Sequence, residues 1–101
     1  MILIVNASFP RSSVQQAAKA FTLLPKVPAT VKRRGPYFHF DDNDNICAMT
    51  LYSFSASQIT NEEKKFVENR LTLFSDVPKF SYNIKSWLNM EEALLVVKSK
   101  G

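Results

Sequence analysis

The stretch TVKRRGPYFHF–DDNDN–ICAMTLYSF, residues 30–54, decides the fold. Its two flanks are rich in β-branched and aromatic residues, which suit a packed, pleated surface. Between them lie Asp41-Asp42-Asn43-Asp44-Asn45. Asp and Asn tolerate the left-handed conformations of a tight turn, and their side chains bond nearby backbone N–H groups. The segment therefore predicts a hairpin with strands over 30–40 and 46–54. The first of these carries Lys32, Arg33, Arg34 and Pro36. Charge and a missing N–H belong at a sheet edge. In the second, Ile46, Ala48, Thr50, Tyr52 and Phe54 share one face, and Cys47, Met49, Leu51 and Ser53 share the other. Both faces are largely apolar, the mark of an interior strand.

Upstream, residues 2–9 read as another two-sided strand: Ile2 and Ile4 oppose Leu3, Val5, Ala7 and Phe9, and Pro10 ends it. Ser12 or Ser13 is expected to cap a helix, with Gln15 or Gln16 completing a capping box. Val14, Ala17, Ala18, Phe21 and Leu24 form its apolar stripe, and Pro25 and Pro28 close it. Downstream, Thr60 and Glu63 predict a second capping box. Phe66, Val67, Leu71 and Phe74 give that helix its stripe, and Val77-Pro78 stops it. Residues 80–88 alternate as a fourth strand. Asn89 and Glu92 then cap a short last helix carrying Ala93, Leu94 and Val97, with a fifth strand over 94–97 as the alternative.

This order, β-α-β-β-α-β-α, predicts an α+β domain over residues 1–101. Its ferredoxin-like βαββαβ core has a four-stranded antiparallel sheet, two helices on one face and a short C-terminal helix. Strands one and three lie inside, strands two and four at the edges. Right-handed crossovers send both principal helices to one face, which leaves the other bare. Each large apolar side chain left in water there forfeits about 1.5–3 kcal/mol. The expectation is a C2 homodimer pairing sheet to sheet. The alternative is a monomer whose last helix folds over the open face.

The composition is that of a globular chain, 46% hydrophobic and 22% charged. The net charge of +4 is local: Lys26, Lys32, Arg33 and Arg34 form a basic patch beside the acids of the turn. The lone Cys47 cannot form an intrachain disulfide. The apolar opening MILIV is too short to span a bilayer and has no basic residue ahead of it, unlike a signal peptide. A cytoplasmic protein without membrane contact is expected.

The element order, the length near 100 residues and the ending FSYNI (80–84) to EEAL (91–94) resemble the dimeric α+β barrel superfamily. The segment Arg34-Gly35-Pro36-Tyr37 before a hairpin resembles small uncharacterised bacterial proteins of similar size. Neither resemblance names an activity; a small organic ligand is expected in the apolar space, held between sheet and helices or at the dimer interface. The superfamily includes haem-degrading enzymes, peroxidases and cofactor-free monooxygenases, so a cofactor-independent monooxygenase is the alternative. No cofactor is expected. Its haem-degrading members use an asparagine on the first strand with a tryptophan and a histidine elsewhere. Asn6 matches the first, whereas Trp87 and His39 sit on other strands than the pattern requires.

Asn6, Arg34, Tyr37, His39, Tyr52 and Trp87 are the candidate ligand-binding residues, with Arg34 as the anion contact. His39, the only histidine, is the catalytic candidate; it shares a face with Tyr37, and Asp41 lies on that face to orient its ring. Cys47 reads as a small core hydrophobe with no basic neighbour in sequence to activate it. No metal site is expected. One His and one Cys do not close a zinc site. Asp41, Asn43 and Asn45 mimic the start of a calcium loop, but Ile46 stands where the loop needs glycine and Tyr52 where it needs a bidentate glutamate. With only Gly35 and Gly101, glycine-rich phosphate loops are excluded. Residues 34–40 resemble the basic-Gly-aromatic motif of ferredoxin-like RNA binders. Pro36 and Tyr37 interrupt that motif, and it falls on the second strand instead of the third. RNA binding through 32–34 and 37–40 is the second alternative; nucleic acid is not the expected partner.

Overall fold

Burial alternates along the first strand: Leu3, Val5 and Phe9 are buried while Ile2 and Ile4 are half-buried. That period of two is what places the chain in a sheet with unequal faces. The computed structural model describes residues 1–54 and 61–100. Its elements are β1 (Ile2–Pro10), a 3₁₀ turn (Arg11–Ser13), α1 (Val14–Thr22), β2 (Val31–Phe40), β3 (Asn45–Phe54), α2 (Asn61–Thr72), β4 (Ser81–Trp87) and α3 (Met90–Lys100). The fold is α+β, with one four-stranded sheet in the order β2-β3-β1-β4. Every neighbouring pair is antiparallel. β1 and β3 are interior; the strand bearing Pro36 is at an edge.

The hairpin forms where the Asp/Asn run predicts it. Asp41 Oδ1 accepts from the backbone N–H groups of Asn43 and Asn45, each at 2.9 Å, and Asp44 takes φ 63°. The register of β2 on β3 shifts between Arg34 and Tyr37. A bulge suits this site, since Pro36 has no N–H for the ladder. Gly35 within it has φ +93°, and a Cβ there would lie 2.7 Å from the Met49 carbonyl oxygen.

Two apolar clusters cover one face of the sheet. In the first, Val67 and Leu71 of α2 pack with Leu3, Val5, Tyr52 and Phe54. In the second, Ala17, Ala20 and Phe21 of α1 pack with Phe9, Ile46, Phe74 and Val77. The β1 and β3 residues in both clusters are the odd positions of β1 and the even positions of β3, hence one face. Rings link the second cluster: Phe21, Phe74 and Phe80 contact in series at centroid distances of 4.8 and 4.7 Å.

Several local expectations are corrected. β1 runs one residue further than 2–9 and ends on Pro10, which pairs with Asn45. Ser13 precedes α1 without capping it; its hydroxyl donates to the Pro78 carbonyl at 2.8 Å and is buried. A tertiary bond has taken the hydroxyl a local cap would use. The buried positions of α1 are Ala17 and Ala20; Ala18 and Val14 face solvent, because α1 meets the sheet through its smallest side chains. Leu24 lies beyond the helix yet packs on the same cluster. The Thr60–Glu63 capping box rests on Thr60, which lies outside the described residues. Arg70 is buried within the stripe of α2.

The last capping box forms in both directions. Asn89 Oδ1 accepts from the Glu92 N–H at 2.8 Å, and Glu92 Oε1 accepts from the Asn89 N–H at 3.0 Å. The Met1 ammonium, 2.8 Å from Glu92 Oε2, and then the Asn89 N–H hold the Glu92 carboxyl below the usual carboxylate range. Residues 94–97 are helical, so the fifth-strand alternative is not realised. Leu94, Leu95, Val96 and Val97 are exposed, so α3 does not bury an apolar face over the sheet. No helix among the described residues is long and apolar enough to cross a membrane.

Candidate functional site

The face of the sheet opposite the two apolar clusters is built from cross-strand rows whose members the pairing register fixes. One row runs Tyr37, Met49, Asn6, Asn83 from β2 to β4; the next runs His39, Cys47, Ser8, Ser81. Neighbouring strands lie about 4.8 Å apart, so each row is a contiguous line of side chains. Together the rows line a groove of about 670 Å³. Ser8 Oγ and Ser81 Oγ are bonded at 3.0 Å on its floor. The lining holds no acid. Its hydrogen-bonding groups are amides, hydroxyls and one imidazole, flanked by the ring of Tyr37. Such a set can orient a polar, uncharged portion of a ligand while Met49 and Tyr37 contact an apolar portion.

A second part of the same face is aliphatic at its centre and cationic at its margins. The row Arg34, Leu51, Ile4, Lys85 is followed by Lys32, Ser53, Ile2, Trp87. Ile2, Ile4 and Leu51 are half-buried.

The six candidates thus divide. Asn6, Tyr37 and His39 come together in the groove. Arg34 shares their face in the adjoining row across the bulge. Trp87 shares the face too, but it stands opposite Ile2, four residues along β1 from Asn6, roughly 13 Å. Tyr52 points the other way and is buried in the first cluster. The side-chain period of two sends it there.

Two neighbourhoods differ from the sequence reading. His39 is the direct cross-strand partner of Cys47, so the thiol, half-buried and free, does have an imidazole neighbour. Asp41 is engaged inside the turn, by the Asn43 and Asn45 N–H groups and the Asn45 amide. The Asn45 N–H is the main cause holding its carboxyl below the ordinary range; His39 adds a small attraction. Among the described residues no carboxylate is hydrogen-bonded to the ring of His39, the orienting contact that general-base catalysis usually employs.

Sequence reasoning missed Arg70. Its Nε donates to Tyr52 Oη at 3.1 Å, and it is 2% exposed. The signal was present: Arg70 falls four residues after Phe66 and three after Val67, on the apolar stripe of α2, where a cation demands a partner.

No protein-family model matches this chain, and no curated protein matches it.

Proposed function

We propose that the chain pairs with a second copy through the open face of its sheet, in the ferredoxin-like arrangement of the dimeric α+β barrels, and binds a small organic ligand in the groove that pairing would enclose. The observation that carries this reading is the aliphatic strip of Ile2, Ile4, Met49 and Leu51 on a face that neither α1 nor α2 packs against. The strand order β2-β3-β1-β4 and the helices after β1 and β3 support the ferredoxin-like part. The accessible surface supports the pairing. The chain exposes 7353 Å², whereas a folded monomer of its mass exposes roughly 5,800 Å². The surplus is of the size that a permanent homodimer interface removes from each partner. The exposed apolar residues of α3 add to the surface a second copy would cover.

Native mass spectrometry with light scattering tests both parts. The expected particle has twice the 11.5 kDa chain mass and carries a co-purified organic molecule. A particle of one chain at micromolar concentration refutes the pairing; a dimer that binds no member of a small-molecule panel refutes the ligand.

A second reading, single-stranded RNA on the same face, is favoured by one observation. Tyr37 and Trp87 are 55% and 54% exposed on the face that also carries Lys32, Arg34 and Lys85. Rings that stack bases beside cations that hold phosphates make such a surface. It predicts affinity that falls steeply with salt, which the ligand reading does not.

A further inference from the structure

On the helix side of the sheet, Arg70 is a buried cation. No carboxylate among the described residues pairs with it. Its Nε donates to Tyr52 Oη and its NH1 group to the Pro25 carbonyl. The rings of Tyr52 and Phe66 each lie 5.8 Å from the guanidinium carbon. Neutral dipoles and ring faces offset part of the cost of removing a cation from water, but they leave its charge in place. A guanidinium offers five N–H donors, and these two bonds use two of them.

Arg70 also lines a cavity of about 430 Å³ between α1, the connection after it and β2. Arg33 lines the same cavity and is exposed; it is the cross-strand partner of Tyr52. The lining thus holds two guanidiniums and no acid. Thr50 and Tyr52 add hydroxyls. Since Tyr52 Oη accepts from Arg70, its own proton remains to be donated. The opposite wall is apolar, formed by Phe21, Leu24 and Phe38, with Phe21 and Phe38 edge to face at 5.6 Å.

We propose that this cavity binds a small organic carboxylate. The acid group bridges Arg70 and Arg33, and a ring-sized apolar body rests on Phe21, Leu24 and Phe38. A carboxylate meets a guanidinium through two parallel N–H···O bonds. Binding would supply the charge that Arg70 lacks, so the site is selective for an anion over its neutral analogue. The cavity is of ordinary ligand size, larger than an inorganic ion requires. It lies on the opposite face from the proposed pairing surface and does not depend on it.

The test is a titration of the 101-residue chain with benzoate, benzamide and inorganic phosphate, followed by two-dimensional NMR. Benzoate is expected to saturate and to shift the Arg70 Nε–H and the amides of Tyr52 and Phe38. It should bind at least about tenfold tighter than benzamide, the loss expected when a charged hydrogen bond is missing. Arg33→Gln, at an exposed rim where the fold tolerates it, should weaken benzoate about threefold or more. Arg70→Gln should abolish binding with the oligomeric state unchanged. Equal affinity for benzoate and benzamide overturns the proposal. So does phosphate binding as tightly as benzoate, or shifts confined to Asn6 and Tyr37, or an Arg33→Gln protein that binds benzoate unchanged. Should Arg70→Gln fail to fold, the Arg33 variant and the benzamide comparison decide the matter.

Discussion

Arg70 Nε donates to Tyr52 Oη at 3.1 Å, and both residues are buried, at 2% and 5% exposure. The bond joins α2 to the interior strand β3 across the helix–sheet interface. Tyr52→Phe keeps the ring and removes only the acceptor, leaving a charged donor buried without it. The expected cost is about 1.5–3 kcal/mol, read as a lower urea midpoint with an unchanged slope. A change under about 0.5 kcal/mol, the scale of ordinary surface substitutions, would show that the bond contributes little.

Gly35 occupies the left-handed region, and any Cβ there meets the Met49 carbonyl oxygen at 2.7 Å. The obstacle is backbone in an interior strand, so relief requires β2 to move. Gly35→Ala should cost about 1–3 kcal/mol and broaden the amide signals of Tyr37 and Phe38 first. A variant as stable as the parent would mean that the bulge re-forms without this glycine.

The open face provides the next prediction. Ile4 sits at the centre of the aliphatic strip and Met49 borders the groove. A lysine at either position would place a charge inside the proposed sheet-to-sheet interface, a cost of several kcal/mol per uncompensated ion. Ile4→Lys and Met49→Lys should each reduce the light-scattering mass to one chain while the far-ultraviolet circular dichroism stays native. A two-chain particle in both variants would refute the proposed pairing through this face.

Asp41 predicts a pH response. Its carboxyl is held below the usual Asp value of 3.8, chiefly by the Asn45 N–H. A carboxyl whose folded pKa is depressed stabilises the native state fully above its unfolded pKa and loses that contribution as pH falls through the folded value. The hairpin should therefore be insensitive to pH above about 5 and loosen below about 4. The Asn43 and Asn45 amide shifts report this directly. In Asp41→Asn the amide oxygen still accepts but does not titrate, so the same shifts should be flat across that range. A parent hairpin that is equally flat would show that the carboxylate charge has no part in holding the turn.

Much of this was readable in the chain because it is governed by short-range rules. Alternation along 46–54 assigned Tyr52 and Met49 to opposite faces, and the structure keeps them there. Pro36 and its basic neighbours marked an edge because a ladder has no use for a missing donor. Asn89 and Glu92 formed their capping box because both partners lie within one turn. Ser13 had an equally good local signature and did not cap, because Pro78, 65 positions away, offered its carbonyl. His39 and Cys47 are eight residues apart, and no motif links them; the register of β2 on β3 makes them neighbours. Arg70 was visible as a cation out of place on an apolar stripe, but its tyrosine partner was not.

The order of side chains along the chain was enough to determine which segments are strands, which face the residues of the two interior strands take, and where the hairpin turns. Those properties follow from periodicity and backbone sterics acting over a few residues. Pairing register and the packing of helices on the sheet decided the rest: a groove assembled from four strands on one side, and a buried arginine beside a cavity on the other. Both depend on distances between segments far apart in sequence, which hydrophobic packing sets only when the whole sheet closes.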